Sequence, residues 1–133
     1  MANENDMQQA VLQMQYLEQQ MNFVQQQINA INGMLSEVEA TLVSLGSMKG
    51  MKADANSLSL LGSGVYANSV LKKSDTVLVE MGGGVVIEKT IAEAVALMEN
   101  RQKSAEEQLT KMTNMASSLE SQYMGMAQAM RGK

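Results

Sequence analysis

Carboxylates are the most abundant side chains here with the chemistry for proton transfer, and their spacing does not suit it. Glu37 and Glu39, Glu80 and Glu88, and Glu106 and Glu107 fall on solvated faces. None has an apolar pocket to raise one pKa for acid–base work. The chain has no His and no Cys. That removes the commonest general base, the commonest metal ligand, thiolate chemistry and disulfides. Gly62-Ser63-Gly64 and Gly82–Gly84 share with phosphate-binding loops only their glycine content. Neither gives Gly-x-x-x-x-Gly-Lys-Ser/Thr, nor a Gly-x-Gly-x-x-Gly that opens a helix. Strand-like runs follow both, so they read as hairpin turns. The expectation is no enzyme, no metal and no cofactor.

What remains is apolar, non-covalent chemistry. The chain carries 14 Met, and Met112, Met115, Met124, Met126 and Met130 crowd its last quarter. Methionine is flexible and polarizable, a weak device for a unique core and a good one for an adaptable binding surface. A Met stripe at helical spacing is most often an ordinary helix seam. Its position decides between the two readings, and position depends on the elements that carry it.

Two apolar stripes define those elements. The first runs Ala10, Met14, Leu17, Met21, Val24, Ile28, Ile31, Leu35, Val38, Leu42, Leu45; the second runs from Ile91 through Val95 and Met98 to Tyr123, Met126 and Met130. Both alternate steps of four and three, with Gln102 the one polar member of the second. An apolar repeat averaging about 3.5 residues keeps a seam on one side of a helix and drives left-handed supercoiling. Each helix would be about 55–60 Å long at about 1.5 Å per residue. Matched lengths let the chain fold back as an antiparallel coiled coil. Absence of Pro suits unbroken helices.

Between the stripes the pattern changes. Gly46 is expected to end the first helix after Leu45, and small polar residues with Gly50 read as a linker. Residues 57–88 read as four short strands separated by turns, hence two β-hairpins. Thr90 with Glu93 three residues on is a capping box opening the second helix. The expected organisation is one domain, 1–133: a helix over 6–45, a linker over 46–56, two hairpins over 57–88 and a helix over 90–131. The fold class is α+β, with both chain termini together at the end of the coil away from the strands.

Two isolated hairpins leave unpaired edges and an apolar face, and such units are marginally stable in water. Leu58, Leu60, Val65, Val77, Val79, Val85 and Ile87 need cover. They either pack among themselves on the coil or, the favoured reading, meet strands of other subunits and close into a β-barrel. At the other end, Met7, Val11, Met14 and Leu17 face Leu119, Tyr123, Met126 and Met130, with Met124 beside the seam. There the two-stranded coil runs out, so part of its seam is expected to stay open as a functional apolar surface.

Composition narrows the partners. A net charge of −4 and a pI near 4.8 argue against a phosphate-binding surface. One Phe, three Tyr and no Trp give no stacking platform for single strands. No apolar run approaches the roughly 18 residues of a membrane span. The polar, acidic start Met1 to Asp6 is unlike a signal peptide. The expectations are therefore no nucleic acid, no membrane and a cytoplasmic location. No Lys or Arg precedes Lys49, and Gln and Asn carry the outer face of the first helix instead. That face reads as neutral and solvated. A Gln-rich aggregation segment is the alternative, and the regular seam counts against it.

The stretch Leu58-Ser-Leu-Leu-Gly-Ser-Gly-Val-Tyr-Ala resembles part of the hairpin region of alpha-class prefoldin subunits. So do Asp75-Thr-Val-Leu-Val-Glu-Met-Gly-Gly-Gly-Val-Val-Ile-Glu-Lys89 and the helix start Ala92-Glu-Ala-Val95. The likeness covers the whole chain in layout, and the second hairpin marks the alpha class, since the beta class has one. The resemblance implies an ATP-independent chaperone, a hexamer of two alpha and four beta subunits with an archaeal cast, and a double β-barrel platform. It implies capture of unfolded polypeptide clients at the coil tips and delivery to a group II chaperonin. Residues expected to contact clients are Met7, Val11, Met14, Leu119, Tyr123, Met124, Met126 and Met130. The seven apolar strand residues named above are expected at the oligomer interface. The competing reading is a structural or adaptor coiled coil that docks one fixed partner.

Overall fold

A computed structural model of the chain describes residues 4–132; the first residues of the acidic start, 1–3, and Lys133 lie outside it. The order of elements is α1 (Glu4–Lys49), β1 (Ala55–Gly62), β2 (Val65–Leu71), β3 (Thr76–Gly82), β4 (Val85–Thr90) and α2 (Ile91–Arg131). The fold is α+β: two long helices with two antiparallel hairpins between them, β1 paired with β2 and β3 with β4. The chain divides into two compact units, Met1–Ser36 with Lys103–Lys133, and Glu37–Gln102.

Burial follows the seam. On α1, Leu17, Val24, Ile31, Val38 and Leu45 are buried; Met21, Ile28, Leu35 and Leu42 between them, and Met14 before them, are half-buried. On α2, Ile91, Met98 and Ala105 are buried, and the remaining seam members, Gln102 included, are half-buried. Gly33 lies off the seam on an exposed face, and the helix runs through it.

α1 does not stop at Gly46. It continues to Lys49, because Met48 adds one more apolar contact against the core of its unit. The helix then closes on itself: the Gly50 N–H donates to the Gly46 carbonyl (3.3 Å) and the Met51 N–H to the Met48 carbonyl (3.1 Å). The expected linker is correspondingly shorter. β1 starts at Ala55 because Ala55 and Asn56 pair with Leu71 and Val70. β4 runs to Thr90 because Val77 and Thr76 pair with Lys89 and Thr90.

The Glu37–Gln102 unit has one core. Val38 and Leu45 of α1, Val79 of β3, and Ile91, Ala94 and Met98 of α2 form it, with Leu42, Met48, Val77, Val95 and Leu97 packed against it. Each large side chain buried there is worth roughly 1.5–3 kcal/mol over leaving it in water. The two hairpin turns share one geometry. Ser63 and Gly64 have φ of +48° and +80°, and Gly83 and Gly84 have +61° and +79°. Two successive positive φ values are what a type I′ turn needs to match strand twist.

Thr90 ends β4 and caps α2. Its N–H donates to Glu93 Oε1 (3.0 Å), and the Glu93 N–H donates to Thr90 Oγ1 (3.1 Å). The Ile91 N–H, a further donor of the first turn, reaches the Asp75 carbonyl (2.9 Å). Bonding to the Thr90 backbone, then to its hydroxyl, then the Lys89 charge, holds the Glu93 carboxyl below its ordinary value. A carboxylate with a lowered folded pKa adds stability above its unfolded pKa and loses it as pH falls through the folded value. Thr90→Ala is expected to lower stability by about 1 kcal/mol. Glu93→Gln should flatten the acid limb of a melting-temperature profile, and an unchanged limb would mean the cap carries no pH dependence.

Candidate functional site

Two surfaces collect most of the large apolar side chains that the chain leaves exposed. The first belongs to the unit of α1 and α2 segments. Its seam thins toward the start of α1 and the end of α2. Before Leu17 no seam residue is buried: Met14 and Ala10 are half-buried, and Met7 and Val11 are exposed. After Ala105 every seam residue of α2 is only half-buried, including Leu119, Tyr123, Met126 and Met130, and Met124 beside the seam is exposed. Met7 and Val11 line an open depression with Gln8, Leu12 and Gln15. Five of the eight residues expected to contact clients are therefore partly engaged in the seam, and three stand clear of it.

A polar contact joins the two helices in this stretch. The Tyr123 hydroxyl donates to Glu18 Oε1 at 2.8 Å. That bond, and next the Glu18 charge, raises the Tyr123 pKa. Glu18 follows Leu17, the buried seam residue nearest the start of α1. The bond thus ties α2 to α1 where full burial gives out.

Three large apolar residues near this surface escaped the sequence reading. Leu12, Tyr16 and Phe23 are exposed by 64%, 60% and 56%. With Met14 at position a and Leu17 at d of a heptad, Leu12 falls at f and Tyr16 and Phe23 at c, on the solvent side. Their off-seam spacing was the available signal.

The second surface is on the hairpins. In the β1–β2 register Leu60 opposes Tyr66, Leu58 opposes Asn68 and Asn56 opposes Val70. Opposed residues and their i+2 neighbours share a face. Leu58, Leu60, Tyr66 and Val70 thus form one apolar face, and all four are exposed. Val65, Val85 and Ile87 are exposed as well. Val79 differs from the other expected interface residues: it is buried in the core of its own chain, with Val77 packed beside it. Their face of β3 is covered by the helices, so other subunits have no access to the Val79 side chain.

Among the described residues, no His, Cys, Asp or Glu group gathers in a metal-holding arrangement, and no helix is long and apolar enough to cross a membrane. The arrangement is suited to non-covalent apolar contact.

A family model described as prefoldin subunit matches residues 17–133. The chain belongs to the prefoldin family. Within it, the chain is an alpha-type subunit. It is 29% identical over 133 residues to prefoldin subunit alpha of Archaeoglobus fulgidus, spanning 100% of this chain and 97% of that protein. It is 25% identical over 95 residues to prefoldin subunit alpha of Methanocorpusculum labreanum, spanning 71% of this chain and 65% of that one. Its fold matches a cryo-EM structure of filamentous PFD from Methanocaldococcus jannaschii, with a TM-score of 0.73 at 18% identity over 92% of this chain and 98% of that chain. The family is one of chaperones rather than enzymes, and its members oligomerise.

Proposed function

We propose that this chain is the alpha subunit of an ATP-independent chaperone of two alpha and four beta subunits. The assembly captures unfolded polypeptide on its apolar coil surface, keeps it from aggregating and passes it to a group II chaperonin in the cytoplasm. The observation that carries this reading is the graded seam. Met7, Val11 and Met124 stand exposed, and Met14, Leu119, Tyr123, Met126 and Met130 are half-buried around them. The relatives named as prefoldin alpha subunits support it. Several weak apolar sites held by one assembly give useful avidity, and weak single contacts let a client leave without nucleotide. The exposed faces of the hairpins serve assembly, through Leu58, Leu60, Val65, Val85 and Ile87.

Changing Met124, Met126 and Met130 together to Ser is expected to leave the assembly intact and reduce suppression of client aggregation several-fold. Light scattering during dilution of an unfolded client reads the effect. Full suppression by the triple variant would remove these residues from the capture surface.

A further inference from the structure

The solvent side of α1 has an unusual composition for a coiled coil. Positions b, c and f from Gln8 to Ser36 hold no charged residue, and every one of them is exposed. Between Asp6 and Glu37 the one charged residue is Glu18, whose carboxylate already accepts the Tyr123 hydroxyl. On this neutral ground stand Leu12, Tyr16 and Phe23, each more than half exposed. Around them the side chains are mostly Gln and Asn; one amide pair, Gln25 to Asn29, is already joined at 3.0 Å.

We propose that this face of α1 is a second contact surface for unfolded polypeptide, one that reads the peptide backbone and apolar side chains and ignores charge. The inference rests on the chaperone reading above and extends it to residues outside the seam. Side-chain amides offer a donor and an acceptor together, the match for the peptide group that every unfolded segment exposes. Tyr and Phe supply large apolar area at low conformational cost, and amide neighbours supply adaptable hydrogen bonds, the pairing that suits sequence-tolerant recognition. The face is continuous with the capture surface, because Leu12 lines the same depression as Met7 and Val11.

An extended occupant fits better than a helical one. A third coiled-coil strand needs two apolar positions per heptad. Beyond Leu12 this face offers one large apolar residue per heptad at most, with Gln19 and Gln26 at the f positions that follow. Tyr16 and Phe23 are separated by roughly 10 Å along the axis at about 1.5 Å per residue, about three residues of extended chain. A second copy of this subunit therefore has no seam to join.

The test uses the complete assembly of this chain with its beta partner. A photo-crosslinking amino acid replaces Phe23, and a chemically unfolded enzyme is the client. Crosslinks to the unfolded enzyme, and none to the same enzyme once folded, are expected. In parallel, Leu12→Gln, Tyr16→Gln and Phe23→Gln together should raise several-fold the amount of assembly needed for equal suppression, with helicity unchanged. Suppression by the unaltered assembly should hold from low to high salt, since screening weakens only charged contacts. Crosslinks to another copy of this chain or unchanged suppression by the triple variant would overturn the neutral surface and leave the seam reading standing. Strong loss with salt would count against both, since the seam is uncharged too. Failure of the unaltered assembly to suppress aggregation would overturn both. Should the triple variant fail to assemble, the Phe23 crosslink alone decides.

Discussion

Val79→Asp is expected to unfold the Glu37–Gln102 unit. The Val79 side chain is 8% exposed and packs with Ile91, Ala94 and Met98, and no charged residue belongs to that cluster. Even a neutral carboxyl placed there without a partner costs roughly 2–7 kcal/mol, and an ionised one costs more. A small domain has about 5–15 kcal/mol of total stability, so the loss consumes a large share of it. Val79 also joins β3 to β4 opposite Ile87, so the damage should reach the hairpin. Thermal melting by circular dichroism and limited proteolysis check the result. A melting temperature within a few degrees of the unaltered protein would mean that the core does not depend on β3.

Leu58→Asp combined with Leu60→Asp should act oppositely: the subunit stays folded and assembly is lost. Both side chains are about 60% exposed in the single chain, so the change costs the isolated subunit little, within about 0.5 kcal/mol for an ordinary surface site. Both lie on the apolar face that Tyr66 and Val70 complete. Two carboxylates on that face would have to be desolvated for strands of another subunit to cover it. Native mass spectrometry after mixing with the beta subunit is expected to show free subunits. An intact hexamer would place the assembly contact elsewhere. Val77→Asp separates the two effects less well, because Val77 leans on the chain's own core.

The contrast between Val79 and Leu60 shows where sequence runs out. Alternation in β3 puts Val77 and Val79 on one face of a strand. Alternation does not say which body covers that face, and α1 and α2 of the same chain do so. Strand ends have a similar origin. Ala55 and Asn56 look like linker until Leu71 and Val70 are seen opposite them. Gly46 looked like a helix stop because glycine favours the left-handed position after a helix. A contact two residues later, made by Met48, outweighs that preference.

The seam was fully legible, because a repeat of four and three depends on the helix alone. Leu17, Val24, Ile31, Val38 and Leu45 are the buried residues of α1, and each is a member of the stripe. The capping box was legible for the same reason: Thr90 and Glu93 are three residues apart and bond each other. Leu12, Tyr16 and Phe23 were legible too once the heptad was assigned, since apolar residues at c and f have no seam to fill. Partner strands and clients leave no such local period, so the sequence points to two apolar surfaces without saying which of their residues the chain itself covers, as it does Val77 and Val79.

The most direct measurement follows light scattering as a chemically unfolded enzyme is diluted into the reconstituted assembly without ATP. Capture on apolar coil surfaces predicts that about one assembly per client holds scattering near its starting level. Scattering that rises as fast as in buffer, with assembly verified in the same sample, would contradict it.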